Sequence, residues 1–200
     1  MLSLCFGGSF NPIHHGHLIC ARAVAEARGF ERIELIPTGQ PPHKPHDPGL
    51  APPEDRLKMC QLATVQSRLF AVNDIEIGLP GPSYTIDTVR ELRRRGRDRI
   101  HWLIGADMLL YLPKWHRPAE LMEEVELVIM ARPGWSLDWG QVPAELRHLQ
   151  SHVVEAPTID ISSTAIRDRV SRGLSVEYMT PEPVGRYIRE RGLYDGSNRT

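Results

Sequence analysis

A glycine-rich loop followed by spaced histidines, close to the start of the sequence, has the residue types that phosphate chemistry needs. Residues 7–17 read GGSFNPIHHGH. Gly7 and Gly8 let a ligand approach the backbone and leave peptide N–H groups free to bind it. His14 and His17 are three positions apart at the start of a predicted helix, so they share one face. The helix directs its positive end to the same place, and Gly16 keeps the approach open. The loop therefore predicts a phosphate-binding site.

Strands and helices alternate along the chain, and these elements must position the loop. The apolar patterns predict strands over residues 2–6, 32–37, 69–77, 100–104, 125–131 and 153–156. Helices are predicted over residues 16–28, 54–67, 84–95, 163–172 and 181–191, with short helical pieces near 107–112 and 118–123. Gly29 is expected to close the first helix, and Ser83 is a plausible N-cap of the third.

This alternation predicts an α/β fold, a Rossmann-like doubly wound parallel sheet with helices on both faces. We expect a single domain over residues 1–200, with a C-terminal helical part over about 160–194. In such sheets the ligand lies beyond the carboxyl ends of the strands, where the strand order reverses. The chemistry should then lie in the loops after residues 6, 37, 77, 105 and 131.

One of these loops is long and rich in proline. Residues 38–53 hold six prolines, so the segment cannot form a helix or a central strand. A loop of this length inside a compact domain is usually functional or mobile.

The overall charge argues against broad binding to polyanions. The sequence has 24 Lys and Arg against 25 Asp and Glu, a formal net charge of −1. We therefore expect no nucleic-acid or membrane partner, and an anionic ligand must be held by a local site. The arginine run over residues 90–99 is interpreted as a solvated helix end. No signal peptide, membrane span, disulfide or thiolate metal site is expected, which favours a cytoplasmic protein.

Two separated motifs together carry a family resemblance. Gly7 to Pro12, followed by His14-x-Gly-His17, resembles the signature of the HxGH nucleotidylyltransferase superfamily. Residues 161–167, ISSTAIR, are similar to its late motif at a helix N-terminus, about 145 residues further along. The histidine motif alone would be weak, but the pair in this order is highly specific.

Further segments resemble the nicotinate mononucleotide adenylyltransferases within that superfamily. They are PPHK at 41–44, SYT at 83–85 with Thr88, IGAD at 104–107, Trp115, RPG at 132–134 and the tail over 181–194. Asn11 stands where many relatives carry Asp, so this position is not expected to be a general base.

The resemblance implies adenylyl transfer from ATP to nicotinic acid mononucleotide, with Mg²⁺ held through the substrate phosphates and no protein metal site. His14, His17 and Arg167 would be the catalytic residues. ATP would be bound by His17, Arg167 and by Gly7, Gly8, Ser9, Phe10, Gly105, Asp107, Ile161, Ser162 and Ser163. The mononucleotide would be bound by His43, Lys44, Tyr84, Thr85, Trp115 and Arg132. A homo-oligomer is possible.

Other interpretations remain open for individual residues. The histidines could lie on the surface at a helix start, or join His43 and His46 in a metal site. Asp107 could cap a helix, Trp115 could belong to the core, and Arg167 and Lys44 could be solvated. Inside the superfamily the alternatives are a phosphopantetheine adenylyltransferase or an enzyme that prefers nicotinamide mononucleotide. The alternative from another functional class is a nucleotide-sensing protein that has no catalytic activity. The absence of Gly-Lys and of G-x-G-x-x-G argues against a Walker loop and a dehydrogenase.

Overall fold

A six-stranded sheet forms the centre of the molecule. The computed structural model describes residues 1–42, 47–134, 137–140 and 142–195. The strands are β1 (Ser3–Gly8), β2 (Arg32–Pro37), β3 (Phe70–Val72), β4 (His101–Gly105), β5 (Glu126–Ala131) and β6 (Val153–Glu155). All neighbouring strands pair in parallel, in the order β3-β2-β1-β4-β5-β6. The strand order reverses between β1 and β4, which creates the switch point expected of this fold.

Helices connect the strands. They are α1 (His15–Arg28), α2 (Pro53–Thr64), α3 (Thr85–Arg94), α4 (Pro118–Glu124), α5 (Ser163–Ser171) and α6 (Glu182–Glu190), with 3₁₀ helices at Ala106–Lys114 and Ala144–His152. Gly29 follows α1 with a φ of 71°, in the left-handed region that favours glycine, and ends the helix as predicted. None of the helices in the described ranges is long and apolar enough to cross a membrane.

Two hydrophobic cores lie on opposite faces of the sheet. Side chains alternate along a strand, so Leu4 and Phe6 of β1 face one core while Cys5 faces the other. The first core is closed by buried residues of α1, α2 and α6. The second is closed by α3, α4 and the two 3₁₀ helices. The doubly wound α/β arrangement predicted from the sequence is therefore confirmed.

Two local predictions were wrong, and one helix was not predicted. The strand expected over residues 69–77 is only Phe70–Val72, because the chain turns away at Asn73, whose Oδ1 accepts a hydrogen bond from Ile75 N. Ser83 does not cap α3; its hydroxyl accepts a hydrogen bond from Gln40 N. The 3₁₀ helix at Ala144–His152 was not predicted, since its stability comes from packing Leu146 and Leu149 into the second core.

Candidate active site

A cavity of about 860 Å³ opens at the switch point of the sheet. The carboxyl ends of β1 and β4 form its floor, and the start of α3 and the 3₁₀ helix after β4 form its walls. Thirteen of the lining residues were not predicted site residues: Phe6, Thr38, Pro41, Pro42, Glu76, Ser83, Trp102, Leu103, Ile104, Met108, Tyr111, Lys114 and His116. The predicted residues that do line it are Gly7, Gly8, Ser9, Phe10, His17, Tyr84, Thr85, Gly105 and Trp115. Residues from distant parts of the sequence thus meet in one cavity.

The loop after β1 has an unusual backbone conformation that packing holds in place. Phe10 has a φ of 44° although it is not glycine, and its side chain is only 2% exposed. Its ring packs edge to face against Phe6 and His17, with centroid distances of 5.4 and 5.2 Å. A Cβ at Gly7 would lie 2.7 Å from the Trp102 ring, so this close approach requires glycine. Strain of this kind at a cavity is typical of a functional loop.

His14 and His17 form a stacked pair at the start of α1. Their ring centroids are 3.7 Å apart with an interplanar angle of 30°. Burial lowers the pKa of His14 to about 4, with a smaller contribution from His15. Burial also lowers the pKa of His17 to about 3, helped by His14. Both imidazoles are therefore neutral at pH 7 in the free protein.

The hydrogen bond of His17 fixes its tautomer. Its Nδ1 accepts a long hydrogen bond of 3.3 Å from the backbone N–H of His14. In the neutral ring the proton must then sit on Nε2, which can donate to a ligand oxygen. His17 also lines the cavity. His17 is thus suited to donating a hydrogen bond to an anion, whereas His14 is buried and does not line the cavity.

The start of α1 is open to an anion. His14 is its N-cap with an extended backbone, and its first turn contains no acidic residue. A Cβ at Gly16 would lie 3.0 Å from His14 Nδ1 and 3.4 Å from the carbonyl oxygen of Ile161. Gly16 therefore lets the histidine pair and the chain before α5 pack closely. The N–H of His15 already donates to Met179 O at 3.0 Å, so the helix dipole is the main feature that favours negative charge here.

The late motif packs directly on the histidine loop. Arg167 Nη1 donates to the Asn11 carbonyl oxygen at 2.9 Å, and Ser163 Oγ donates to the Pro12 carbonyl oxygen at 2.8 Å. Ser162 caps α5, its Oγ accepting from Ala165 N at 3.1 Å. The guanidinium and the imidazoles therefore lie on the same side of the molecule, attached to one loop.

Arg167 nevertheless lies beside the main cavity rather than in it. It lines a neighbouring cavity of about 160 Å³ together with Gly49 and Tyr194. Asn11 holds these segments together: its Nδ2 donates to Gly49 O at 2.8 Å, and its Oδ1 accepts from Ala51 N and the Tyr194 hydroxyl at 3.0 and 2.7 Å. Asn11 is thus a structural link, in keeping with the expectation that it is no general base.

Arg56 of α2 joins the loop after β1 to both ends of the loop between β2 and α2. Its side chain is fully buried, with 0% exposure. Its Nε, Nη1 and Nη2 donate to the carbonyl oxygens of Ala51, Ser9 and Gly39, each at 2.9 Å. No carboxylate lies within ion-pair distance of it in the described part of the chain. Burial lowers the pKa of this guanidinium, which nearby acidic groups partly oppose.

Aromatic side chains form the wall opposite the glycine loop. Tyr84 stacks on His116 with ring centroids 4.2 Å apart. Trp115 is partly buried, packs against the second core and lines the cavity, so it belongs both to the core and to the site. Thr85 begins α3, and no described side chain caps that helix start. Its first N–H groups are available to a ligand at the aromatic wall.

The comparisons with known proteins agree with this geometry. A family model described as cytidylyltransferase-like matches residues 5–169. A protein of Geobacillus kaustophilus (strain HTA426) named "Probable nicotinate-nucleotide adenylyltransferase" is 43% identical over 190 residues, covering 94% of this chain and 84% of its own length. One of the same name from Roseiflexus sp. (strain RS-1) is 39% identical over 190 residues, covering 94% and 95%.

The chain belongs to the nicotinate-nucleotide adenylyltransferase family.

A solved structure shares the fold of this family member. The nicotinic acid mononucleotide adenylyltransferase of Plasmodium falciparum, complexed with NaAD, superimposes with a TM-score of 0.77 over 98% of each chain at 18% identity. The doubly wound sheet and its switch point are therefore shared over the whole length of the two chains.

Some of the residues predicted for this adenylyltransferase lie away from the main cavity. Asp107 is exposed on the first turn of the 3₁₀ helix. Its Oδ1 lies against Gly105, where an added Cβ would be only 2.5 Å away from it. Arg132 is exposed beyond β5, and its charge acts on Cys20 of α1 instead. Ile161 and the start of α5 lie behind the histidine loop. His43 and Lys44 lie outside the described residues.

The sequence missed Glu76, Arg56 and Trp102. A charged residue on a helix such as Arg56 is ordinarily solvated, and only the three-dimensional contacts show that it is buried. Trp102 could have been identified as a site residue from its position in the predicted central strand. Glu76 lay in a segment interpreted as strand, and no local pattern distinguished it.

The metal-site alternative stays untested, because His43 and His46 lie outside the described residues. The described residues contain no group of three His, Cys, Asp or Glu side chains placed to bind a metal ion.

The arginine run is partly neutralised by ion pairs. Arg90 and Arg93 pair with Glu124, Arg94 and Arg95 with Glu91, and Arg97 with Glu34, so five arginines share three carboxylates. This pairing reduces the positive charge that the run presents to a polyanion.

Proposed function

We propose that this protein transfers the adenylyl group of ATP to nicotinic acid mononucleotide, giving nicotinic acid adenine dinucleotide and pyrophosphate in NAD biosynthesis. The observation that carries the proposal is the switch-point cavity. A glycine loop, a helix N-terminus and a neutral imidazole donor lie on one side of it, and an aromatic wall lies on the other. Such a cavity suits two anionic nucleotides that must meet.

The chemical step needs positioning more than a protein nucleophile. A phosphate oxygen of the mononucleotide attacks the α-phosphorus of ATP in line, and the bond to pyrophosphate breaks. His14 and His17 donate hydrogen bonds to the triphosphate oxygens as charge develops, because both rings are neutral donors at pH 7. The backbone N–H groups of Gly8, Ser9 and Phe10 bind the same group of oxygens.

Arg167 would hold the β and γ phosphates of ATP. Its guanidinium is suited to bidentate phosphate binding, and Nη1 now donates to Asn11 O at 2.9 Å. Ser162, Ser163 and the N-terminus of α5 support it. Since Gly49 and Tyr194 share the small cavity with Arg167, ATP binding would require these segments to give way.

The mononucleotide would bind at the aromatic wall. Trp115 stacks on the pyridine ring, and the N–H groups near Tyr84 and Thr85 meet its carboxylate. Gly105 and Asp107 would contact the adenosine ribose, and His43 and Lys44 the mononucleotide phosphate. Arg132 would need to move from the side of α1 to take part.

Mg²⁺ would enter with ATP. We expect the ion to be held by substrate phosphates and water rather than by a protein site. When bound, it neutralises charge on the phosphates and the leaving pyrophosphate. A cytoplasmic location and a homo-oligomer stay predictions.

A substrate panel tests the proposal. Purified protein, ATP and Mg²⁺ are incubated with nicotinic acid mononucleotide, nicotinamide mononucleotide or phosphopantetheine, and pyrophosphate release is followed. We expect the highest kcat/KM with the acid mononucleotide. Higher kcat/KM with either rival would refute the substrate assignment, and ATP binding without turnover of any acceptor would favour the nucleotide-sensing protein.

A further inference from the structure

Glu76 is a buried carboxyl group that the mechanism above does not use. It lines the switch-point cavity, yet its side chain is only 3% exposed. Its Oε1 accepts a hydrogen bond of 2.7 Å from the Thr88 hydroxyl. Its Oε2 is buried and has no partner in hydrogen-bond geometry among the described residues, although the Ser83 hydroxyl and the Gly39 N–H are near enough to favour its ionised form. A half-satisfied buried carboxyl beside a ligand cavity calls for an explanation.

Its position relates it to the proposed ring-carboxylate subsite. Thr88 lies on the first turn of α3, where its backbone N–H donates to Tyr84 O at 3.2 Å. The first N–H groups of that helix, proposed to bind the ring carboxylate, are therefore about one helical turn, or ~5 Å, from Thr88. Glu76, Tyr84 and Thr85 line the same cavity. An ionised Glu76 would repel a second carboxylate in this poorly solvated cavity.

The surroundings of Glu76 leave its ionisation finely balanced. Burial raises its pKa to about 7, while the Thr88 and Ser83 hydroxyls, the Gly39 N–H and the Arg56 charge act in the opposite direction. Arg56 is the charged group on the α2 side. The other titratable groups lining the same cavity are Tyr84 at the start of α3, Tyr111 and Lys114 of the 3₁₀ helix, His116 after it, and His17 of α1.

We propose that Glu76 is a specificity-determining residue: the acid mononucleotide binds with Glu76 protonated, because the neutral carboxyl tolerates the ring carboxylate that its ionised form would repel. This inference rests on the proposed function. Binding then transfers a proton from solvent to Glu76, and the preference for an acid over an amide ring becomes pH-dependent. The N–H groups of α3 supply attraction for the acid, and the neutral Glu76 removes the repulsion.

The test uses two substrates that differ by one charge. KM is measured for nicotinic acid mononucleotide and nicotinamide mononucleotide at pH 6.0 and 8.5, and the acid-to-amide ratio of KM is compared. Other ionisations that act equally on both substrates cancel in this ratio. If binding of the acid mononucleotide raises the pKa of Glu76 by one unit, the acid-to-amide ratio of KM should rise by about tenfold from the lower to the higher pH.

Three variants make the result specific to Glu76. Glu76→Gln keeps the size but cannot ionise, so the ratio should become flat across this range. Thr88→Val removes the hydroxyl that donates to Glu76 and favours its ionised form. The rise in the acid-to-amide ratio of KM should therefore move to higher pH. Asp87→Asn removes an exposed carboxylate from the same helical turn and should leave the wild-type profile unchanged.

Calorimetry supplies a second readout. Acid mononucleotide binding at pH 7, measured in buffers of different ionisation enthalpy, should take up a fraction of a proton in the wild type and less in Glu76→Gln. A flat wild-type ratio, or a Glu76→Gln variant that keeps the pH dependence, would overturn the inference and in the latter case assign the titration to another group such as His116. Failure of the wild type to turn over either mononucleotide would instead refute the proposed function.

Discussion

Replacing Arg56 with methionine should destabilise the protein strongly, because one side chain binds three carbonyl groups and holds two loops together. The change leaves the carbonyl oxygens of Ala51, Ser9 and Gly39 without the donors that now lie at 2.9 Å. Each buried carbonyl left unpaired costs about 1–3 kcal/mol. Removing a buried guanidinium without a carboxylate partner recovers part of that cost, since burial disfavours its charge. We expect a net loss of about 3–5 kcal/mol.

Urea unfolding followed by circular dichroism measures this loss. The midpoint should fall for Arg56→Met, with little change in the slope m. Arg56→Lys should recover only part of the loss, because one ammonium cannot reach three carbonyl oxygens in different directions. Arg22→Met, on the exposed face of α1, is the matched control and should stay within about 0.5 kcal/mol of wild type. A loss below about 1 kcal/mol for Arg56→Met would refute the reasoning.

Three further predictions concern the site. Trp115→Ala should raise KM for the acid mononucleotide about tenfold while KM for ATP stays unchanged, since ring stacking contributes about 1 kcal/mol or slightly more; an equal rise in both KM values would contradict this. Tyr194→Phe removes the 2.7 Å hydrogen bond to Asn11 Oδ1 and should lower the free energy of unfolding by about 1 kcal/mol. An unchanged urea midpoint would contradict this prediction. Stability should fall as the pH drops from about 6.5 towards 4, because His14 and His17 stay neutral in the fold while the unfolded chain takes up protons. The slope in that window should be shallower for His17→Asn, and an identical slope would show that His17 does not carry the effect.

Much of the fold followed from local patterns. The alternation of apolar runs and helical segments predicted all six strands, and Arg32–Pro37 has the predicted bounds. These predictions succeeded because a buried strand must be apolar wherever it lies. Phe70–Val72 was shorter than predicted because an edge strand ends where pairing ends, and pairing depends on its neighbour.

The site was predictable only in part. The glycine loop and the histidines are contiguous, so their shared face can be derived from spacing. The placement of Arg167 next to Asn11 depends on how α5 docks, which spacing cannot give. Glu76 and Arg56 were missed because their burial arises from the packing of several distant segments.

The central claim is that His17 and Arg167 act on one polyphosphate, and a double-mutant cycle tests it most directly. Pyrophosphate release is measured for His17→Ala, Arg167→Ala and the double variant, with circular dichroism confirming that each folds. We predict that each single change lowers kcat/KM for ATP by about 10²-fold or more. The double variant should lose at least about tenfold less than the product of the single losses, because the two groups share one ligand. Wild-type turnover in His17→Ala, or losses that multiply fully, would contradict the account.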